Sequence, residues 1–256
     1  MASRSSARHL GRGRRYPKAA PAVVLLSGGM DSATCLAIAA SRGHRPITLS
    51  VQYGQRHARE LRSARALARH YRALETIEVT VPLREIAPSA LTRRSQALPK
   101  DRSAKEMLRR GIPSTYVPAR NTILLSLALA VAETRRAEAI YLGVNAIDYS
   151  GYPDCRPEFL RAFERLARKA TARAVEGGGS PRIEAPLLHK SKAEIVRWGE
   201  RLHVPWCLTW SCYAGGSSPC GQCDSCRLRA QGFREAGVPD PLLGRPPRAR
   251  RSADAR

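Results

Sequence analysis

A short glycine-containing segment near the start of the chain, Ser27-Gly28-Gly29-Met30-Asp31-Ser32, most strongly limits what this protein can fold into. An apolar run at residues 22–26 precedes it, and residues 33–40, which favour a helix, follow it. This order predicts a strand, a tight glycine turn and the N-terminus of a helix. Free backbone N–H groups and two serine hydroxyls would surround the turn, so the segment is predicted to bind a phosphate or pyrophosphate.

This loop differs from the common nucleotide-binding glycine loops. It lacks both the Gly-Lys-Ser/Thr ending of the Walker loop and the Gly-x-Gly-x-x-Gly spacing of the dinucleotide fingerprint. Ser-Gly-Gly-x-Asp-Ser instead resembles the pyrophosphate loop of the N-type ATP pyrophosphatases, which cleave ATP between its α and β phosphates and activate a substrate oxygen as an adenylate. Asp31 is predicted to hold Mg²⁺ or to fix the turn. An ordinary turn between strand and helix is the alternative.

Strands and helices alternate along the rest of the chain. Residues 47–51, 77–81 and 139–143 are predicted as further strands. The alternation predicts an α/β fold with a doubly wound, mostly parallel sheet and right-handed crossovers. Because ligands of such sheets bind beyond the carboxyl ends of the strands, the site is expected to include the glycine loop and the stretches 53–57 and 143–156.

Two further segments are interpreted as parts of the site. Residues 88–113, named here the cover segment, are polar, charged and irregular, which predicts a flexible cover. Lys192 stands at the start of a later predicted helix, where its charge would add to a phosphate site, although a solvated surface lysine is an equal alternative. A helix is predicted over residues 157–175.

Four of the seven cysteines cluster late in the chain as Cys-x7-Cys-x2-Cys-x2-Cys. Four thiolates at such spacing complete a tetrahedral zinc site with bonds of about 2.3 Å and no open position, so a structural ion is predicted. An iron–sulfur cluster is the alternative. Cys207 lies near the cluster, but its separation from the paired cysteines favours Cys212 instead. The predicted ligands are Cys212, Cys220, Cys223 and Cys226.

The composition bears on partners and location. The chain carries 44 Lys and Arg against 21 Asp and Glu, a formal charge of +23, which suggests nucleic-acid binding. However, residues 1–20 hold six basic and no acidic side chains and residues 245–256 hold five arginines and one aspartate, so the tails supply much of the excess. Direct nucleic-acid contact is not expected. No apolar run approaches the roughly 18 residues of a membrane span, and a reduced, cytoplasmic location is expected.

Taken together, the motifs resemble the 7-cyano-7-deazaguanine synthase family of N-type ATP pyrophosphatases, over residues ~20 to ~235. The resemblance is carried by the glycine loop, by Asp148-Tyr149-Ser150-Gly151-Tyr152-Pro153-Asp154-Cys155-Arg156-Pro157-Glu158-Phe159, and by the cysteine cluster. Other pyrophosphatase families share only the loop. The resemblance implies that the chain converts 7-carboxy-7-deazaguanine and ammonia to the 7-cyano base, using two ATP and Mg²⁺. It also implies a fold like that of the adenine nucleotide alpha hydrolases, and a homodimer.

The resemblance also implies roles for particular residues. Ser32, Asp31, Arg120 and Lys192 are the predicted catalytic residues, the two basic side chains offsetting charge on the phosphates. Asp148, Asp154 and Glu158 are predicted to bind the deazaguanine. Cys155 lies in the same stretch and is a possible nucleophile, but no base can be placed beside it. The residues predicted to bind ATP are Leu26, Ser27, Gly28, Gly29, Met30, Asp31, Ser32, Ala33, Thr34, Cys35 and Leu36.

Four regions follow from these assignments. The chain is predicted to begin with a disordered basic arm (residues 1–20), which is followed by an ATP-pyrophosphatase domain (21–204). A zinc-binding knuckle with its helix (205–236) and a basic Pro/Arg-rich tail (237–256) are predicted to complete it. Two other functions are alternatives. One is a different adenylating enzyme of the same superfamily, such as a tRNA thiolase, tRNA lysidine synthetase or NAD synthetase. The other is a zinc-knuckle nucleic-acid-binding protein that uses the basic tails.

Overall fold

The computed structural model describes residues 19–54, 59–93, 95–102, 106 and 111–242. The predicted arm and tail therefore lie mostly outside the described residues, as do Gln55, Arg56 and His57 and part of the cover segment.

A five-stranded parallel sheet forms the centre of the molecule, and every strand pair in it is parallel. The strand order is β3-β2-β1-β4-β5, so the chain winds outward from β1 in both directions. This confirms the predicted doubly wound, parallel α/β class. The strands are β1 (Pro21–Leu25), β2 (Arg45–Gln52), β3 (Glu75–Thr80), β4 (Ala139–Tyr141) and β5 (Arg182–Glu184).

Helices connect the strands and cover the sheet. They are α1 (Met30–Ser41), α2 (Arg59–His70), α3 (Leu83–Ile86), α4 (Arg120–Thr134), α5 (Ala146–Gly151), α6 (Pro157–Ala170), α7 (Ala172–Val175), α8 (Lys192–Arg201) and α9 (Asp224–Ala236). Short 3₁₀ turns occupy Pro153–Cys155 and Trp206–Leu208. Among the described residues, none of the helices combines the length and the apolar character that a membrane crossing requires.

Both faces of the sheet are buried, because successive strand residues point to opposite faces. Val24 of β1 belongs to one core cluster, in which α1, α2, α8 and α9 pack. Its neighbour Val23 belongs to the other, in which α4 and α6 pack. Neighbouring crossovers on opposite faces leave a crevice beside β1 at the carboxyl ends of the strands, where the sequence places the glycine loop.

The single helix predicted over residues 157–175 is wrong, since it breaks at Thr171 into α6 and α7. The backbone of Thr171 is extended, with φ −111° and ψ 137°, and its hydroxyl donates to the carbonyl of Ala167. After the break, the Arg173 guanidinium bonds to the carbonyl of Ala137 and to the carboxylate of Glu138. These bonds attach α7 to the start of β4 and end the helical path.

Candidate active site

A cavity of about 270 Å³ opens at the carboxyl ends of β1, β2 and β4. Apolar side chains from the strand ends line one wall, namely Leu25, Leu49 and Val51. The other walls carry polar and charged side chains from several elements. These are Ser27, Asp31, Ser32, Ser50, Tyr53, Glu60, Arg120, Asn121, Asp148, Lys192, Ser211, Tyr213, Ser225 and Arg229.

The glycine loop is held by its own serines. Ser32 Oγ lies 3.0 Å from Ser27 Oγ, accepts from the Ser27 N–H at 3.2 Å and donates to the Gly29 carbonyl at 3.0 Å. Gly29 is the N-cap of α1 and has no side chain to satisfy the free N–H groups of the first turn. These N–H groups, together with the two hydroxyls, form an anion-binding concavity at the helix N-terminus.

Only glycine fits at position 28, because the backbone there has a positive φ and leaves no room for a side chain. Its φ is +87°, and a Cβ placed on it would lie 2.3 Å from the carbonyl oxygen of Glu60 at the start of α2. Its own carbonyl accepts from the Trp210 N–H at 2.8 Å. The loop is therefore enclosed by α2 on one side and by the cysteine-rich segment on the other.

Substituting Gly28 by alanine is expected to destabilise the chain well beyond the strain of a positive φ. Gly43 is the matched control, since its φ is +83° and a Cβ there meets nothing within 4 Å. Gly43→Ala should cost about 1–2 kcal/mol from backbone strain alone. Gly28→Ala adds an overlap with backbone atoms, so it should lower the free energy of unfolding by at least about 2 kcal/mol more than Gly43→Ala does. Urea unfolding of both variants measures the difference, and equal losses would contradict the close packing of α2 on the loop.

A lysine and two carboxylates face the cavity next to the loop. Lys192, the first residue of α8, binds Asp31 through a 2.6 Å Nζ–Oδ2 contact. Asp148, in the first turn of α5, accepts from the backbone and side-chain nitrogens of Asn145 through Oδ2. Burial lowers the pKa of Lys192, but the charges of Asp31 and Asp148 outweigh it and leave this pKa above its ordinary value. Lys192 is therefore a fixed positive charge beside the loop.

Arg120 begins α4 and lies over two tyrosine rings. Its Cζ is 5.9 Å from the ring centroids of both Tyr53 and Tyr152. Burial opposes the charge of Arg120, but its interactions with Tyr53 and Tyr152, followed by Cys155 and Asp154, keep its pKa above the ordinary value. A second permanent cation, besides Lys192, thus lines the cavity.

Two of the predicted substrate-binding acids do not line this cavity. Asp154 is buried, and its Oδ2 accepts from the backbone N–H of Asn121 at 2.8 Å, where it caps the first turn of α4. Glu158 is exposed in the first turn of α6. Of the three acids, only Asp148 contributes to the cavity wall. The sequence could not show which of the three acids faces the cavity, because all three follow β4 in one polar stretch.

The ATP segment predicted from sequence divides in the same way. Its first part, apart from Gly28, lines the cavity, whereas Ala33, Thr34, Cys35 and Leu36 are buried within α1. Cys35 donates to the carbonyl of Leu142, and burial raises the pKa of its thiol. Cys155 does line the cavity, but burial raises its thiol pKa as well, so its environment does not favour the nucleophilic thiolate.

Glu60 is a cavity residue that the sequence analysis missed. It lies in the first turn of α2, and burial raises its pKa to about 8, with Arg120 acting in the opposite direction. Its charge also acts on the hydroxyls of Tyr53 and Tyr213. In the sequence it is a first-turn acid of an arginine-rich amphipathic helix, which gives no sign that it faces a cavity.

The four predicted metal ligands come together. The sulfur atoms of Cys212, Cys220, Cys223 and Cys226 all lie within 4.8 Å of one another. Backbone N–H groups of Ala214 and Cys220 donate to the Cys212 sulfur at 3.4 and 3.3 Å. Such donors stabilise thiolates, so the donor set suits a tetrahedral zinc ion. Cys207 is exposed and outside the cluster.

The cysteine cluster is joined to the cavity rather than set apart from it. Trp210, Ser211 and Tyr213, which immediately flank Cys212, all contribute to the cavity wall. In the following helix Arg229 is 3% exposed and forms a two-bond ion pair with Asp240, at 2.7 and 2.9 Å.

Part of the cover segment packs on this cluster. Lys100 forms an antiparallel bridge with Cys223, and the Asp101 N–H donates to the carbonyl of Gln222. Arg102 forms a two-bond ion pair with Asp224, the first residue of α9. These described residues of the segment are therefore anchored to the cysteine cluster and to α9.

The matching family model and the curated relatives agree on one family. The family model described as queuosine biosynthesis protein QueC matches residues 21–237. A protein of Anaeromyxobacter sp. named 7-cyano-7-deazaguanine synthase is 58% identical over 87% of this chain and 95% of its own length. One of the same name from Myxococcus xanthus is 54% identical over 86% and 95%. Among solved structures, an NMN synthetase from Francisella tularensis matches with a TM-score of 0.45 and 16% identity, over 88% of this chain and 74% of that chain. The chain belongs to the QueC family of queuosine biosynthesis proteins.

Proposed function

We propose that this chain is an ATP-dependent ligase that converts 7-carboxy-7-deazaguanine and ammonia to 7-cyano-7-deazaguanine through adenylated intermediates. The observation that carries the proposal is that the family match coincides with one cavity in which the glycine loop, Lys192, Arg120 and Asp148 all meet. Such a site suits a reaction between two anions, because two cations, Lys192 and Arg120, line the cavity.

The chemistry explains why ATP is needed twice. A carboxylate is a poor electrophile because its oxygens leave poorly. When a carboxylate oxygen attacks the α-phosphorus of ATP, the α–β bond breaks and pyrophosphate departs, leaving an acyl adenylate. Ammonia then attacks the carbon and AMP departs with the first oxygen, which gives an amide after loss of a proton. Adenylation of the amide oxygen, followed by loss of AMP and the remaining N–H protons, gives the nitrile.

The residues of the loop have a defined part in this scheme. The backbone N–H groups at the start of α1, with Ser27 and Ser32, would bind the departing pyrophosphate. Lys192 and Arg120 would stabilise the negative charge that develops on the phosphates. Their mutual 3.0 Å contact holds the two serine oxygen atoms in place, so only the O–H bonds would turn toward a bound pyrophosphate.

Two metal ions complete the proposal. Asp31 fits a Mg²⁺ site, because its Oδ1 is buried and has no hydrogen-bond partner among the described residues, and carboxylate oxygen is a ligand that Mg²⁺ favours. Mg²⁺ would neutralise phosphate charge. The four clustered thiols would hold Zn²⁺ in a closed, structural site. A cytoplasmic homodimer without direct nucleic-acid contact, supported by the family resemblance, is part of the same proposal.

Mass spectrometry of the reaction products tests the proposed function. Purified chain incubated with 7-carboxy-7-deazaguanine, ammonium, Mg²⁺ and ATP should produce the 7-cyano base, with AMP and pyrophosphate. Ser32→Ala should lower pyrophosphate release about 100- to 1,000-fold, as expected for a lost transition-state donor. Ser41→Ala, at the far end of the same helix, is the matched control and should behave as the unaltered chain. Absence of the 7-cyano product from the unaltered chain would refute the proposal.

A further inference from the structure

The described residues that follow α9, residues 237–242, pack against the protein. Val238 packs on the core cluster that contains α1 and α8, and Leu242 packs beside the cysteine cluster. Between them Asp240 is 7% exposed, and its Oδ1 accepts from the Leu242 N–H at 3.0 Å. Burying a carboxylate is costly unless it is paired and hydrogen-bonded, so the partners of Asp240 indicate what this residue does.

The main partner of Asp240 is the buried Arg229, whose guanidinium has five N–H donors. Two of these donate to the two carboxylate oxygens of Asp240, at 2.7 and 2.9 Å. The other three donate to Thr209 Oγ1 at 2.7 Å, Ser211 Oγ at 3.4 Å and the Trp206 carbonyl at 3.4 Å. All five donors are thus engaged within the described part of the chain. Arg229 lines the cavity, but these bonds suit it to hold the cavity wall rather than to bind a phosphate.

The wall that Arg229 holds rests on the glycine loop. Trp210, between the two hydroxyl residues that Arg229 contacts, donates its N–H to the Gly28 carbonyl at 2.8 Å. A Cβ on Gly29 would lie 3.6 Å from the Trp210 carbonyl oxygen. Printed contacts therefore continue from Asp240 through Arg229 and Trp210 to the loop that is proposed to bind pyrophosphate.

Stability alone is a weak reason for a buried ion pair at this position. Removing two charges from water costs about as much as their attraction returns, and well-packed apolar side chains often serve as well. A guanidinium paired with a carboxylate instead fixes the direction of several hydrogen bonds at once, which an apolar side chain cannot do. The pair of Arg229 and Asp240 is therefore suited to keeping the wall in one position.

We propose that Asp240 is a positioning residue of the active site, which orients Arg229 and thereby holds the wall at residues 209–211 against the glycine loop. This inference rests on the proposed function, because it takes the loop as the pyrophosphate site. It goes beyond that function by giving a part in the reaction to a residue that does not itself line the cavity.

The affinity for pyrophosphate, measured by calorimetry with Mg²⁺, tests the position of the loop. Asp240→Asn places an amide donor against a guanidinium donor, so it should weaken pyrophosphate binding about 10-fold, within the range for groups coupled in one network. The rate of pyrophosphate release should fall about 100-fold, as for a small displacement of a reacting group. Asp101→Asn is the matched control, because Asp101 pairs with Arg227 of the same helix on the surface. It should change both quantities by less than about twofold.

A double variant separates positioning from stability. Arg229→Met combined with Asp240→Leu removes the pair without changing the net charge. Its melting temperature should return to within about 5 °C of that of the unaltered chain, because an apolar pair can replace a buried ion pair. Its affinity for pyrophosphate should stay about 10-fold weaker, since Thr209 and Ser211 have lost their donors. Recovery of both quantities together would overturn the positioning role.

The remaining outcomes distinguish this inference from the proposed function. If the unaltered chain does not bind pyrophosphate, the loop assignment in the proposed function fails and the role of Asp240 fails with it. If the unaltered chain binds pyrophosphate and folded Asp240→Asn binds it equally well, only the role of Asp240 is overturned. Thr209→Val removes the acceptor at the other end of Arg229 and replaces Asp240→Asn if that variant does not fold. It should weaken pyrophosphate binding about 3- to 10-fold, and an unchanged affinity would refute the inference.

Discussion

Replacing Lys192 by methionine is expected to lower the rate of pyrophosphate release by at least about 1,000-fold. Removing one positioned donor from an active site typically costs 10²–10³, and here a full charge is lost as well. Lys192 Nζ lies 2.6 Å from Asp31 Oδ2, and its charge also acts on Asp148. Without it, two carboxylates would face the incoming triphosphate and repel it. The affinity for ATP should therefore fall together with the rate.

Lys190→Met provides the matched control. Lys190 is two residues earlier, pairs with Glu194 at 2.9 Å on the surface and does not line the cavity. Its loss should change the rate by less than about twofold, because an exposed pair of this kind contributes about 0.3–0.5 kcal/mol. Pyrophosphate release and thermal unfolding are measured for both variants. Similar activity in the two variants would exclude Lys192 from the phosphate site.

Residues close to a strand end in the sequence could be placed without a structure. The glycine loop follows β1 directly, and Asp148 and Lys192 lie in the first turns of the helices that follow β4 and β5. In a parallel sheet all carboxyl ends meet at one edge, so the sequence could bring these residues together, although a solvated surface position for Lys192 was an equal alternative. The clustering of the four cysteines could be predicted for a similar reason, because their spacing is local and suits a tetrahedral site.

Residues whose position depends on how two elements pack could not be predicted. Glu60 faces the cavity because α2 lies directly against Gly28, a contact that no pattern in α2 records. Asp154 was predicted to bind substrate because it is polar and near the site, but its carboxylate caps α4, which lies 33 residues earlier in the chain. A buried acid beside a cavity is satisfied either by ligand or by backbone, and composition does not distinguish the two.

The contribution of the cysteine cluster and its helix to the cavity wall could not be predicted from the sequence either. The cluster was predicted as a separate structural knuckle, whereas the structure packs α9 on α8 so closely that a Cβ on Gly232 would lie 2.7 Å from Lys192 Cβ. The same region contributes Trp210 and Tyr213 to the cavity wall. A structural ion in this position would therefore fix both a wall of the site and the helix that begins at Lys192.

Cys223→Ser is accordingly expected to remove zinc, destabilise the chain and abolish activity together. Cys223 lies at the N-cap of α9 and is bridged to Lys100 of the cover segment, so its position links the cluster to both neighbours. Binding free energies of structural zinc sites are about 10–16 kcal/mol, and much of this becomes folding free energy. Movement of the cavity wall by about 1 Å is enough to lower the rate about 100-fold.

Cys207→Ser is the matched control, since Cys207 is exposed and lies only five residues before the cluster. Metal analysis should find one zinc per chain in the unaltered protein and in Cys207→Ser, and less than about 0.2 in Cys223→Ser. The melting temperature should fall by at least about 10 °C in Cys223→Ser alone. Several kcal/mol of unfolding free energy are lost, and each lowers the melting temperature by a few degrees. A Cys223→Ser variant that kept its melting temperature and its rate of pyrophosphate release would show that the cysteine cluster supports neither the fold nor the wall of the site.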